Sequence, residues 1–307
     1  MTIITITILC LLLLVIGIYC FPVRRASFDS LYADVPEKER DGLRAFRSDC
    51  QPRLVRIEGD EWRYLITGEG NRSIVFLHGM GGGYDIWWQQ VRHFGKNYRV
   101  LAMTYPPIHN LADLSKGVIA IMDKEGLESV RLVGSSLGGY LAQYIVRHYP
   151  ARIEKAVFGN TFPPNDILVK QAGRMRWLLP MLPEWMIMAN LRKTTDASIV
   201  PASGNSELVG AYMREQSRGM MHKAQFVSRF QCVLDHFDPP DVEGLGVPVH
   251  IIEADNDPLV NEALRELLKA TYPTAAVKTF HRKGHFPYLN AAEAYNLTLE
   301  EFFNGKQ

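Results

Sequence analysis

Eight short runs rich in β-branched and aromatic residues recur along the chain, and longer stretches with helical periodicity separate most of them. This alternation constrains the fold more than any other feature. The runs are LVRIE (54–58), WRYLI (62–66), SIVFL (73–77), RVLAM (99–103), VRLVG (130–134), KAVFG (155–159), VHIIE (249–253) and AVKTF (276–280); amphipathic stretches at 111–126, 137–149 and 260–271 lie between them. Strands that read as continuous apolar runs, joined through helices, predict an α/β fold: a mostly parallel eight-stranded sheet with helices on both faces. The first two runs lie close together and predict an antiparallel start. From about Phe162 to Glu243 the alternation stops, and a stretch rich in Met, Trp and Leu predicts an inserted helical cap. Residues 51–307 are thus expected to form one domain, long enough to bury a sizeable core.

Ahead of it, residues 1–23 carry no charged side chain. As a helix, the apolar run from Ile3 to Phe21 would extend roughly 28 Å, about one hydrocarbon core. A cleaved signal peptide would show a basic start and a small-residue cleavage site, and neither is present. The expectation is a single-pass anchor over 1–23, followed by a charged juxtamembrane linker over 24–50 that holds a short helix from Pro36 to Phe46. Arg24 and Arg25 follow the run at once, with Lys38, Arg40, Arg44 and Arg47 beyond, and no Lys or Arg precedes it. Positive charge stays on the cytoplasmic side, so the domain is expected in the cytoplasm, with Cys50 and Cys232 reduced.

Gly134-Ser135-Ser136-Leu137-Gly138 follows a predicted strand and opens a predicted helix. G-x-S-x-G in that context is a nucleophile elbow, which singles out Ser136 over Ser135. A serine hydroxyl needs a base, and the base needs an orienting acid. Such an elbow predicts the order Ser, acid, His, with the last two in loops after late strands. Asp257 lies after the seventh run, just before Pro258, and His285 after the eighth, just after Gly284. Asp255 and Glu253 compete for the acid role, and His281 for the base. Acyl transfer also needs donors aimed at an oxyanion. The loop His78-Gly79-Met80-Gly81-Gly82-Gly83 points to the backbone N–H of Met80, paired with that of Leu137.

Other chemistries find no support. The glycine loop fails as G-x-G-x-x-G because Tyr84 occupies the last position. His281 and His285 have an i, i+4 spacing, but Arg282 stands where H-E-x-x-H requires Glu. Neither a cofactor nor a metal is expected. Lys and Arg number 34 against 33 Asp and Glu, a net charge of +1, so nucleic acid is not an expected partner. The four cysteines form no CxxC pair.

The glycine loop, GSSLGGYLAQ, ADNDPLV and GHFPYL resemble the α/β-hydrolase superfamily across about 51–305. More narrowly, YRVLAMTYPP, GSSLGGYLAQ and FPYL are similar to maspardin-like proteins. The superfamily resemblance implies a serine hydrolase that cleaves an ester, thioester or amide through an acyl-enzyme; the expected partner is a small-molecule acyl substrate, apolar if the cap lines its pocket. The narrower one implies an alternative, a non-catalytic interaction module, since some maspardin-like proteins lack the histidine before FPYL. This chain keeps His285. Some relatives place the acid after an earlier strand; here that position is Asn160, which leaves Asp257. Peroxidase or C–C bond chemistry on the same triad stays open. The cap stretch RMRWLLPMLPEWMIM (174–188) either lines an acyl pocket or forms the buried face of cap helices.

Overall fold

A computed structural model describes residues 3–305. Its strands fall on the eight runs: β1 (Arg53–Ile57), β2 (Asp60–Thr67), β3 (Ser73–Leu77), β4 (Arg99–Thr104), β5 (Val130–Ser135), β6 (Ile153–Gly159), β7 (Val249–Ala254) and β8 (Ala276–Phe280). They make one sheet in the order β1-β2-β4-β3-β5-β6-β7-β8. β2 pairs antiparallel with β1 and β4, and every other neighbouring pair is parallel. The inner strands β3 and β5 are buried along their whole length, whereas β1 at the edge buries no residue.

The helices of seven residues or more are α1 (Ile3–Tyr19), α2 (Glu37–Asp49), α3 (Trp88–Phe94), α4 (Leu111–Lys124), α5 (Leu137–His148), α6 (Asp166–Ala172), α7 (Glu184–Thr194), α8 (Glu207–Glu215), α9 (Lys223–Val233), α10 (Glu262–Thr271) and α11 (Ala292–Phe303). Successive strand side chains point to opposite faces, so Val75 and Leu132 join one core with α4, α5 and α10, while Phe76 and Val133 join another with α2, α3 and α11. Helices α6 to α9 form the cap, between β6 and β7. It has a small core of its own in Leu179, Ile187 and Val227.

The stretch 24–50 packs onto the body of the molecule. Tyr32, Val35, Leu43 and Phe46 are buried in the core beside α3 and α8. Arg47 reaches across to Asp85 at 2.8 Å and bonds both carboxylate oxygens of Glu215 on α8, at 2.9 and 2.7 Å.

The expected membrane span is corrected. Among the described residues no helix is long and apolar enough to cross a membrane. Helix α1 has 17 residues, about 26 Å at 1.5 Å per residue, short of the ~30 Å hydrocarbon core. It stops because Phe21 precedes Pro22, which disfavours helical backbone there. Its end instead seats on the cap: Trp185 Nε1 donates to Ile18 O at 2.8 Å, and the Tyr19 hydroxyl donates to Met181 O. Met1 and Thr2, where the span was expected to begin, lie outside the described residues. The single-pass anchor, and the cytoplasmic placement derived from it, do not stand.

Candidate active site

Ser136 lies between β5 and α5 with φ 57° and ψ −123°. A side chain rarely adopts this left-handed backbone, and the surroundings must enforce it. They do so through close backbone approaches that only glycine allows. A Cβ on Gly138 would stand 2.1 Å from Leu77 O on β3, and one on Gly134 would stand 2.1 Å from Gly138 O. Ser136 N–H donates to Gly159 O at 2.9 Å, and Thr161 Oγ1 donates to Ser136 O at 2.7 Å. The elbow is pinned from β3 and β6 together.

Asp257 and His285 meet in the loops after β7 and β8. His285 Nδ1 stands 2.7 Å from Asp257 Oδ2 and 2.9 Å from Oδ1, and both residues are buried. The carboxylate also accepts from Leu259 N at 2.8 Å, Val260 N at 3.0 Å and Asn160 Nδ2 at 2.9 Å. Burial alone would raise its pKa; the His285 imidazole and these donors hold it below the usual carboxylate range. The rivals occupy other places. Asp255 pairs with His281 at 2.8 Å on the exposed side. Glu253, buried within β7, accepts from Lys269 and Thr279.

Ser136 and His285 line one cavity of about 260 Å³. Among the described residues no hydrogen bond joins the Ser136 hydroxyl to His285, whose ring bonds are to Asp257. The glycine loop closes over the serine: a Cβ on Gly79 would lie 3.5 Å from Ser136 Oγ. Among the described residues the N–H groups of Met80 and Leu137 have no protein acceptor. Buried His78 anchors the loop, its Nδ1 2.6 Å from Gly79 O and its Nε2 3.3 Å from Tyr105 N. Burial, with the nearby Arg229 charge, pushes its pKa well down, so the ring is neutral. Apart from Asn190 and Thr194, the cap side of the cavity is apolar, with Phe162, Leu168, Met213 and Phe226. Residues 174–188 do not line it. Met175, Leu179, Leu182, Met186 and Ile187 line a second cavity of about 400 Å³, whose walls share Asn190 and Phe226 with the first.

Several residues at the site gave little signal in the sequence. Asn160, noted only as lacking an acid, is the residue that braces Asp257. Asn256 ties the acid loop to the histidine loop and the cap: its Oδ1 accepts from Gly284 N at 2.9 Å, and its Nδ2 donates to Ala202 O at 2.8 Å. Among the described residues no cluster of His, Cys, Asp or Glu has the geometry to hold a metal ion.

A mostly parallel sheet with an antiparallel start, a serine elbow after β5 and a cap inserted after β6 define the α/β-hydrolase architecture. The chain belongs to the alpha/beta hydrolase family, whose model matches residues 74–296, more than half its length. Within that superfamily it lies close to maspardin: the Mus musculus protein is 26% identical over 265 residues, covering 83% of this chain and 84% of that one. A 2-hydroxy-6-oxononadienedioate/2-hydroxy-6-oxononatrienedioate hydrolase from Burkholderia vietnamiensis is 28% identical over 268 residues, covering 80% and 92%. Among solved structures, a hydrolase from Pseudomonas aeruginosa superposes with a TM-score of 0.71 at 18% identity, covering 82% of this chain and 98% of that one, a likeness of fold.

Proposed function

We propose that the protein is a serine hydrolase that cleaves a carboxylic ester, thioester or amide through an acyl-enzyme. The observation that carries this reading is the buried Asp257–His285 pair, opening into the cavity that also holds the elbow serine. Asp257 fixes the imidazole with its Nδ1 proton directed at the carboxylate, leaving Nε2 to take the Ser136 proton. The hydroxyl oxygen attacks the acyl carbon, and the N–H groups of Met80 and Leu137 receive the oxyanion. His285 returns the proton to the leaving group, and water releases the acyl group by the same path. No step calls for a metal or an organic cofactor.

The apolar cap wall supports an apolar acyl group as substrate, since each buried methylene contributes about 0.8 kcal/mol. A panel of chromogenic p-nitrophenyl esters tests the reading. Hydrolysis is expected, with butyrate or longer chains preferred over acetate, and Ser136→Ala should remove it by a factor on the order of 10⁴ or more. The likeness to maspardin favours a second reading, a non-catalytic interaction module on the same fold. A wild-type protein inert to the whole panel would favour that one.

A further inference from the structure

Arg229, on cap helix α9, is buried to 1% exposure, and among the described residues it has no carboxylate partner. Its Nη1 donates to Met80 O at 2.7 Å and Gly82 O at 3.0 Å and lies 3.4 Å from Met221 Sδ, while Nη2 donates to Tyr105 O at 3.3 Å. Its Nε has no partner, and the guanidinium stands 5.8 Å from the centroid of the Tyr105 ring. Burial pulls its pKa down to about 10, which leaves it charged at neutral pH.

A buried cation without a counter-charge is costly, and neutral amides would serve three carbonyls without that cost. What a fixed cation adds is a field. The loop it grips carries the proposed oxyanion donor Met80, and negative charge arrives there only when the tetrahedral intermediate forms. Carbonyl oxygens turned into the cavity would repel that charge, and Arg229 binds two of the loop's carbonyls, those of Met80 and Gly82. Arg229 itself does not line the cavity, so it acts through the loop and not by touching substrate.

We infer that Arg229 is a positioning residue for the oxyanion loop: it holds the Met80 and Gly82 carbonyls, and its charge balances the negative charge that develops on the substrate oxygen. The inference rests on the hydrolase reading above.

The test compares the full-length wild type with Arg229→Lys and Arg229→Met. It measures p-nitrophenyl butyrate kinetics and inhibition by two ligands, an alkyl trifluoromethyl ketone, which forms an anionic tetrahedral adduct with the serine, and the matching neutral carbinol. Arg229→Met should lower kcat roughly 100-fold with KM changed less than about threefold, and Arg229→Lys, keeping the charge without the fork, roughly tenfold. The ketone should weaken in step with kcat while the carbinol binds as before. If Arg229→Met fails to fold, Arg229→Lys decides by the same ratio. Unchanged kcat in a folded variant, or equal weakening of ketone and carbinol, would overturn the inference and leave the hydrolase reading standing. A wild type that neither hydrolyses the ester nor is labelled by a fluorophosphonate would overturn both.

Discussion

After β7 and β8 two carboxylate–imidazole pairs stand side by side, alike in chemistry and different in access to water. Asp257 and His285 are 2.7 Å apart with side chains 0% and 3% exposed, whereas Asp255 and His281 are 2.8 Å apart with side chains 41% and 79% exposed. An exposed pair contributes little, typically 0–1 kcal/mol. The inner pair is screened from water and shares its cavity with Ser136. Asp257→Asn should therefore lower ester turnover on the order of 10⁴-fold, because the imidazole loses the charge that stabilises its protonated form. Asp255→Asn should leave turnover within about twofold, as expected for an exposed pair. Rates measured on both variants decide the assignment: equal losses, or a larger loss at Asp255, would reverse it. Position after the late strands offered Asp255 as a rival to Asp257 and His281 as a rival to His285, because neighbouring residues of one loop can face either the interior or solvent.

Helix α2 ties the N-terminal stretch to the cap. Arg47 is bidentate to Glu215 and also bonds Asp85, while the hydroxyls of Tyr32 and Tyr212 bond Glu215 and Asp85, both at 2.7 Å. Burial works against the Arg47 charge, but Asp85 and Glu215 together hold its pKa above the usual guanidinium value. Removing one partner of such a cluster strands the others, so Arg47→Met should destabilise the fold by about 3–5 kcal/mol. Thermal unfolding reads this directly, and an unchanged Tm would contradict it. The eight strands were legible because buried parallel strands are continuously apolar. The stretch 24–50 was not. Its helix was expected, close to where it lies, but its charged residues read as a linker, and the four buried side chains Tyr32, Val35, Leu43 and Phe46 are too sparse to announce a packed face. Arg229 was equally hidden, since a buried arginine looks in sequence like any other of the 34 basic residues.

At the scale of the whole molecule, the sheet brings residues far apart in the chain to one rim: Ser136 after β5, Asn160 after β6, Asp257 after β7 and His285 after β8, with the glycine loop after β3. Ligands of open α/β sheets bind at this carboxyl end of the strands, and the cap covers it. That Ser136, Asp257 and His285 gather on this rim was legible because the elbow and the late loops carry local signatures. The cavity walls were not, because they depend on how cap helices pack: Leu168, Met213 and Phe226 face the serine, while the conspicuous Met- and Trp-rich stretch lies one cavity further out. The apolar N-terminal run misled for a related reason. Its composition suits a bilayer, but the described helix is too short to cross one, and its end is seated on the cap through Ile18 and Tyr19. Activation of Ser136 as a nucleophile at this rim, as proposed, is read by intact mass after fluorophosphonate treatment. One covalent adduct per chain is expected, mapped by peptide sequencing to Ser136, absent in Ser136→Ala and formed far more slowly in His285→Ala. No adduct on the folded wild type, or an adduct that persists in Ser136→Ala, would contradict it.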